Sequence, residues 1–438
     1  MKAIAQELQP IVGDSGICDW ENLKPNWQQR FARVNAVENY PSSIVYPTTT
    51  DELAKVITLV HRNNWTILPC GSGSKLSWGG IGKNVDLVVS TERLNRVIEH
   101  AVGDLTVTAE AGVKLKDLQD ILLKTGQFLP LEPAYPQEAT LGGIIATADS
   151  GSLRHRHGGV RDMLLGISFV RCDGQIAKAG GRVVKNVAGY DLMKLFTGSY
   201  GTLGILTEVT FRVYPVQEAA GTVVLVGDGE AIASTTKTLL SSALTPTAVD
   251  LLSTQLVTQL GLGQGMGLMV RFQSVAQSVT QQSSRLLEVG QKLGLQGNLY
   301  SDTNEANLWR LLPEQIWTTP HQPAITCKIG VLPTAAVATL TQLDALTSSQ
   351  GLGLIHAGSG LGLLRLDPAT VTPQTIMEIR HHCQAQNGFL TVLEAPISLK
   401  QQLDVWGYSG NGLNIMRGIK QQFDPKNLLS PQRFVGGI

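Results

Sequence analysis

The segment from Pro69 to Gly80 holds the residues whose types first suggest chemistry, because four of its twelve positions are glycine and three are serine. Glycine adopts positive φ readily and approaches a ligand closely, so successive N–H groups can converge on phosphate oxygens. The serine hydroxyls add further donors. A flexible surface turn often has the same composition, so this segment alone leaves a phosphate cradle and a surface turn both open.

The spacing of this segment excludes two common nucleotide loops. The pattern G-x-x-x-x-G-K-[ST] needs lysine directly after its second glycine, whereas Ser74 follows Gly73 here. The dinucleotide pattern G-x-G-x-x-G needs a third glycine that opens a helix, but Leu76 stands at that position. The adjacent glycines Gly79 and Gly80 would also break such a helix. The segment is therefore neither a P-loop nor a Rossmann loop.

Two further glycine-rich segments follow. Residues 139–148 read Ala-Thr-Leu-Gly-Gly-Ile-Ile-Ala-Thr-Ala, which leaves a backbone that a flat group could lie against. A glycine-rich helix start in a packed core is the alternative interpretation. Residues 180–205 combine many glycines with polar residues in an otherwise apolar region. Ordering so many glycines costs conformational entropy, so we expect a ligand or close packing to fix them.

The hydrophobic pattern predicts the elements that position the first segment. Residues 43–46 form a short β-branched strand that Pro47 stops, and Thr50 opens an amphipathic helix. Residues 66–68 predict a second strand, which ends at Pro69. The first glycine segment is thus expected at the end of a strand in a strand–helix–strand unit.

Later elements mix strands and helices, and they predict an α+β fold class. Strands are expected at 85–89, 97–99, 105–109 and 204–214, a helix at 115–124, and a hairpin over 163–179 around Asp173-Gly174. The composition changes near Gln217. The predicted domains are a lead-in at 1–40, a first domain at 41–216, a second domain at 217–400 and a C-terminal segment at 401–438.

Composition narrows the class of function. The chain has 438 residues with 35 basic and 35 acidic side chains, so no basic excess points to nucleic acid. No apolar stretch reaches the length of a membrane span, and the N-terminus lacks a signal-peptide core. The five cysteines are scattered, which favours reduced thiols and argues against a Cys-ligated iron–sulfur cluster. A cytoplasmic protein is expected.

The order of the three glycine segments resembles the FAD-binding domain of the vanillyl-alcohol oxidase and para-cresol methylhydroxylase (PCMH) superfamily. Residues 185–205 are most similar to the FAD-binding E subunits of glycolate oxidases. The resemblance covers residues 40–215 and the tail Asp424 to Pro431. It implies a two-lobed PCMH-type FAD-binding domain, an α+β cap domain, and a C-terminal segment that returns to the FAD domain.

The same resemblance implies the cofactor-binding residues. Superfamily members with covalent flavin often attach it through a histidine in the first segment, where Ser74 stands here, so non-covalent FAD is expected. The implied FAD-binding residues are Pro69, Gly71, Ser72, Gly73, Ser74, Lys75, Gly79, Gly80, Pro133, Thr140, Gly142, Gly143, Ala146, Gly204 and Ile205.

The cap domain departs from related D-lactate and D-2-hydroxyglutarate dehydrogenases. Their H-x-G-D-G-N-x-H motif and later Glu-His pair supply a metal site and a base. Here Ser359 and Leu363 replace the aspartate and second histidine, and Ala395 follows Glu394. A base needs a titratable side chain, and a catalytic zinc usually has three protein ligands. No metal site is therefore predicted.

The catalytic residues stay open at this point. The candidates are Lys185, Tyr190, His356 and Glu394, although Lys185 and Tyr190 could equally serve their own loop. His155 is expected in a solvated loop, with an approach to the flavin or a partner as the alternative.

Two classes of function remain. In the first, the chain is an auxiliary FAD subunit of a glycolate dehydrogenase complex, between a catalytic flavoprotein subunit and an iron–sulfur subunit. In the second, it oxidises a small 2-hydroxy acid by itself with an unrecognised base. A scaffold that has lost FAD is a third possibility. Contact with a membrane through a partner is left open.

Overall fold

The chain forms two compact units in the computed structural model. Described residues are 2–34, 40–82, 84–182, 189–317 and 324–438. Unit 1 comprises Met1–Gly151, Gly158–Val216 and Gly410–Ile438, and unit 2 comprises Ser152–His157 and Gln217–Ser409.

A small, mostly parallel sheet in unit 1 carries the first glycine segment. Its strands are β1 (Ile17–Asp19), β2 (Ser43–Val45), β3 (Ile67–Cys70) and β4 (Leu87–Ser90), in the order β1-β2-β4-β3. Strands β2, β4 and β3 run parallel, and β1 is antiparallel to β2. The predicted strand–helix–strand unit is confirmed, since β2, a helix and β3 follow one another. The second strand does not end at Pro69 as predicted but continues to Cys70, so it includes the first two residues of the first glycine segment.

The helix between β2 and β3 shows why this unit forms. Helix α3 (Thr50–Asn63) begins after Thr49, whose side chain accepts a hydrogen bond from the Glu52 backbone N–H. It ends at Asn64, which adopts left-handed φ of 56°. The predicted apolar face is buried and packs on β2, β3 and β4: Leu53, Val56, Ile57 and Val60.

A second sheet of unit 1 is antiparallel and has five strands among the described residues. Its strands are β5 (Val97–Ala101), β6 (Thr106–Glu110), β8 (Leu164–Val170), β9 (Ile176–Gly180) and β10 (Ile205–Arg212), in the order β5-β6-β10-β8-β9. The predicted hairpin is confirmed, since β8 pairs with β9 and Gly174 has φ of 85° in the turn. Strands β7 (Gln127–Phe128) and β11 (Tyr214–Pro215) form a separate antiparallel pair.

Helices and the C-terminal tail complete unit 1. After residue 428 the tail lies beside β3, where the Ile67 N–H donates to the Leu428 carbonyl and the Ser430 N–H donates to the Ile67 carbonyl. The remaining helices are α1 (Lys2–Val12), α2 (Pro25–Ala32), α4 (Leu115–Leu123), α5 (Leu141–Thr147), α7 (Val160–Met163), α8 (Leu192–Phe196) and α16 (Leu413–Phe423).

Unit 2 is built on an antiparallel sheet. Its strands are β12 (Ala219–Gly227), β13 (Ala248–Leu252), β14 (Met266–Ser274), β15 (Gln296–Ser301), β16 (Ile325–Gly330), β17 (Leu352–His356), β18 (Leu361–Leu366) and β19 (Phe389–Glu394). These described strands run in the order β15-β12-β14-β13-β17-β18-β16-β19.

Helices pack on this sheet in two apolar cores. The helices of unit 2 are α6 (Arg154–His157), α9 (Gly229–Leu240), α10 (Thr254–Gln259), α11 (Ala276–Lys292), α12 (Asp302–Ile316), α13 (Ala336–Leu346), α14 (Pro373–Ala385) and α15 (Ile397–Lys400). The larger core contains side chains from the sheet and from α9, α11, α13 and α14, and the smaller core contains side chains from α10 and α12.

Candidate functional site

A cleft in unit 1 brings the three glycine segments together. Its empty space is about 880 Å³, counting the part that is open to solvent. Most of the predicted cofactor-binding residues line it: Pro69, Gly71, Ser72, Gly73, Ser74, Lys75, Thr140, Gly142, Gly143, Ala146, Gly204 and Ile205. Contact of these residues with FAD stays a prediction.

Neighbouring elements hold the first glycine segment in place. Gly73 has φ of 79°, and a Cβ atom there would lie 2.7 Å from the Trp27 ring of α2. The Arg30 guanidinium donates to the Ser72 carbonyl and forms a 2.6 Å ion pair with Glu138. The Ser72 hydroxyl donates to the Glu138 carbonyl at 2.7 Å. The backbone of the segment is therefore fixed from two sides by protein contacts.

The second glycine segment packs directly on the first. A Cβ atom on Gly71 would lie 2.1 Å from the Thr140 hydroxyl oxygen, so only glycine fits there without a shift. Thr140 is the N-cap of α5 and accepts a hydrogen bond from the Gly143 N–H at 3.3 Å. On the other side, a Cβ on Gly142 would lie 3.1 Å from Ala111. Glycine at position 71 thus allows the two segments to approach each other.

Lys75 lies in the wall of the cleft but has a carboxylate partner of its own. Its Nζ atom lies 2.6 Å from Asp149 Oδ2 and 3.4 Å from the Thr147 hydroxyl. Asp149 Oδ2 also accepts a hydrogen bond from the Ala134 N–H at 2.8 Å. Burial lowers the pKa of Lys75, and the negative charge of Asp149 acts in the opposite direction. The charge of Lys75 is therefore balanced within the protein.

Three predicted residues do not line the cleft: Gly79, Gly80 and Pro133. A Cβ atom on Gly80 would lie 2.5 Å from the Gln432 carbonyl oxygen, and the Gly80 N–H donates to the Arg433 carbonyl at 3.0 Å. Gly80 thus packs against the C-terminal tail.

Several cleft residues were absent from the predicted set, and Arg433 is the most informative. It lies two positions beyond the tail motif that ends at Pro431, and its side chain is buried. The tail motif was expected to return to the FAD domain, so an arginine close behind it could have been predicted as a residue of the cofactor site. Phe196, Ser199, Tyr200 and Gly201 also line the cleft. All four lie within the third glycine segment, so their positions were visible in the sequence.

Unit 2 contains a buried imidazole–carboxylate pair. His356 Nδ1 lies 2.6 Å from Asp250 Oδ1, across the neighbouring strands β17 and β13. The second oxygen, Asp250 Oδ2, is buried and has no hydrogen-bond partner in the described part of the chain. If Nδ1 carries the proton of this bond, Nε2 of His356 is a proton acceptor. The sequence pointed to His356 but not to Asp250.

The expectation of a solvated loop is wrong for His155. His155 belongs to α6 in unit 2, and its Nδ1 atom would lie 2.5 Å from a Cβ on Gly358. Burial lowers the pKa of His155, the Asp250 carboxylate opposes this shift, and His356 and Arg156 add to it. The physical reason is packing. The sequence on either side of residues 152–157 belongs to unit 1, but α6 itself belongs to unit 2 and contacts β13 there. The local sequence pattern does not encode this contact.

Two of the other catalytic candidates, Tyr190 and Glu394, lie among the described residues. Tyr190 is 89% exposed and does not line the cleft. Glu394 ends β19 opposite Thr326, and Lys185 lies outside the described residues. Within the described ranges no group of three or more His, Cys, Asp or Glu side chains could hold a metal ion. No helix in those ranges is long and apolar enough to cross a membrane.

Comparison with known proteins shows a family match over part of unit 1. Residues 41–180 match the family described as FAD binding domain. Glycolate oxidase subunit GlcD of Bacillus subtilis (strain 168) is 26% identical, over 90% of this chain and 89% of that protein. The mitochondrial D-lactate dehydrogenase (cytochrome) of Arabidopsis thaliana is 24% identical, over 99% of this chain and 80% of that protein.

Solved structures show the same fold. Substrate-bound p-cresol methylhydroxylase matches with a TM-score of 0.73 and 15% identity, over 99% of this chain and 96% of that chain. The 4-ethylphenol oxidase from Gulosibacter chungangensis matches with a TM-score of 0.78 and 14% identity, with the same coverage. The predicted PCMH-type α+β fold is therefore confirmed.

Proposed function

We propose that this chain, an FAD-dependent oxidoreductase whose residues 41–180 form an FAD binding domain, binds FAD in the unit 1 cleft and serves in the oxidation of a 2-hydroxy acid. The observation that carries the proposal is the convergence of three separate glycine segments on one cleft. The finer proposal is an FAD-binding subunit of a glycolate dehydrogenase complex, with a catalytic flavoprotein subunit and an iron–sulfur subunit as partners.

The lining of the cleft fits a flavin dinucleotide. Apolar side chains such as Leu68, Leu76 and Phe196 offer surface for an aromatic ring system, whereas Ser72 and Ser74 offer hydroxyl donors beside the glycine backbone. Sites for cofactors of this size combine the same two features. When bound, FAD would supply the hydride acceptor for oxidation at C2 of the acid. The chain's own part is to hold, orient and shield the cofactor.

Non-covalent attachment is the form of binding that the cleft favours. Ser74 stands in the first glycine segment where a histidine would be the attachment point in covalent relatives. Cys70 and Tyr200 also line the cleft, but burial raises the pKa of the Cys70 thiol and of the Tyr200 phenol. Both groups therefore stay protonated and weakly nucleophilic near neutral pH.

Two observations support the role of a complex subunit. The chain aligns along 89% of a protein named as a glycolate oxidase subunit. It also has Ser359 and Leu363 where the related dehydrogenases have an aspartate and a histidine. A chain with this altered segment is expected to need a catalytic partner for turnover, and an iron–sulfur subunit as the next electron carrier.

The pair of His356 and Asp250 favours a second candidate, a free-standing 2-hydroxy acid dehydrogenase. The carboxylate orients the imidazole and can leave Nε2 as a proton acceptor, which is the property required of a base for the 2-hydroxyl proton. In that case the altered segment would not abolish turnover by the isolated chain.

Flavin content tests the core of the proposal. The purified protein should show flavin absorbance, and heat or acid should release the flavin into solution if attachment is non-covalent. A colourless protein that takes up no added FAD would instead support a scaffold without flavin. Flavin that stays with the denatured chain would overturn only the non-covalent form.

Turnover assays then separate the two candidates. The isolated chain is assayed with glycolate and with D-lactate, using an artificial electron acceptor. The subunit proposal predicts no turnover until co-purified partners are added, and those partners should include a protein with iron–sulfur absorbance. Turnover by the isolated chain that His356→Gln abolishes would favour the free-standing enzyme.

A further inference from the structure

The buried guanidinium of Arg433 has no anionic partner among the described residues. Arg433 is 4% exposed, and its Nη1 and Nη2 atoms donate to the backbone carbonyls of Gly80, Leu76 and Trp78. All three acceptors are uncharged. Buried charges in proteins are normally paired, because a charge removed from water without a counter-charge costs free energy.

Not every N–H donor of the Arg433 guanidinium is used in a hydrogen bond to the described residues. A guanidinium has five N–H groups, and three hydrogen bonds to carbonyl oxygens account for three of them. The remaining two have no partner within the described ranges, and Arg433 lines the unit 1 cleft. Burial lowers the pKa of Arg433 to about 10, so the group keeps its positive charge at neutral pH.

The neighbouring cations differ from Arg433 in this respect. Lys75, which also lines the cleft, is paired with Asp149 at 2.6 Å. Arg30, which holds the Ser72 carbonyl but does not line the cleft, is paired with Glu138 at 2.6 Å. An anion that enters the cleft therefore finds one cation whose charge is not already balanced. Arginine suits a phosphate oxygen, because its planar fork donates two parallel hydrogen bonds.

We infer that Arg433 provides the balancing charge for the diphosphate of the bound dinucleotide and, through the carbonyls of residues 76, 78 and 80, positions the first glycine segment around it. The inference rests on the proposed binding of FAD in this cleft. It assigns the diphosphate to Arg433 in preference to Lys75, and it makes the C-terminal tail part of the cofactor site.

The test measures the dissociation constant of FAD by flavin fluorescence for the wild-type chain, Arg433→Gln and Arg433→Lys. Loss of a charge-assisted contact in Arg433→Gln should weaken FAD binding roughly 10- to 100-fold. Arg433→Lys keeps the charge and should bind FAD with intermediate affinity. The matched control is Arg417→Gln in α16, because this arginine is exposed and its one hydrogen bond to the described part of the chain is a 3.4 Å contact with the Gly436 carbonyl. It should bind FAD as the wild type does.

A second ligand separates charge from structure. Riboflavin has the same ring system but no phosphate, so Arg433→Gln should weaken FAD binding far more than riboflavin binding. Equal losses for both ligands, or equal losses in the glutamine and lysine variants, would overturn the inference by pointing to a structural role only. Unchanged FAD affinity in Arg433→Gln would overturn it as well. A wild-type chain that binds no FAD would instead refute the proposed function.

Discussion

At the scale of single residues, the pair of Lys75 and Asp149 is a buried charge arrangement that a substitution can break. We expect Lys75→Met to lower the free energy of unfolding of the apoprotein by about 3–5 kcal/mol, because Asp149 would keep a buried charge without its 2.6 Å partner. Urea unfolding measures the change.

The control for this prediction is Arg310→Met. Arg310 forms a 2.8 Å pair with Glu314 on the surface of α12, where both side chains are more than half exposed. Such exposed pairs contribute at most about 1 kcal/mol. A loss of stability in Lys75→Met no larger than that of Arg310→Met would contradict a buried, mutually compensating pair.

His155 gives a prediction for pH. Its pKa in the folded chain is below the ordinary value of 6.5, so the unfolded chain binds this proton first as the pH falls. The free energy of unfolding should therefore decrease from about pH 6.5 down to the lowered pKa, and it should change little above that window through this group.

The measurement is urea unfolding between about pH 8 and about pH 5, comparing the wild-type chain with His155→Asn. The variant should lose stability less steeply on acidification, because it removes the half-buried imidazole. His61→Asn, at the end of α3, serves as the control. An equally steep loss in His155→Asn would mean that other groups cause the whole effect.

At the scale of elements, the first glycine segment can lie in contact with the N-terminus of α5 because Gly71 has no side chain. Gly71→Ala would place a Cβ atom 2.1 Å from the Thr140 hydroxyl oxygen, so the loop or the N-cap of α5 must shift. We expect this variant to purify with much less flavin per chain than the wild type. Gly103→Ala is the matched control, because a Cβ there meets no atom within 4 Å.

Folded Gly71→Ala protein, checked by circular dichroism, is required for this comparison. Normal flavin content in that folded variant would contradict the role assigned to the close approach of the two segments.

The same elements show what a sequence can and cannot predict. Helix α3, its N-terminus near Thr50 and a strand near residues 66–68 follow from local periodicity and capping, and all are present, although the strand continues through Pro69 to Cys70. Arg433 was missed because its acceptors lie 353 to 357 positions earlier in the chain. The surroundings of His155 were wrongly predicted and Asp250 was missed for a similar reason, since their proximity depends on the contact between α6 and β13.

At the scale of the whole molecule, the cleft draws on parts of the chain that are distant in sequence. Residues 68–78, 140–147 and 196–206 line it, together with Arg433 near the C-terminus. If FAD binds the folded protein but not the unfolded chain, it stabilises the folded state by an amount that increases with the FAD concentration. The backbone amides of these separate segments should therefore all exchange hydrogen more slowly when FAD is bound.

Hydrogen exchange followed by mass spectrometry tests this expectation. At an FAD concentration of about 100 times the dissociation constant, amides that exchange only after FAD leaves should slow by up to about 100-fold. Strand β5, from Val97 to Ala101, contributes no cleft residue and should keep its exchange rate, which makes it the internal control. Protection of residues 68–78 without protection around Arg433 would mean that the C-terminal tail is not part of the cofactor site. Protection around Arg433 is the stronger evidence, because no local sequence pattern links position 433 to the first glycine segment.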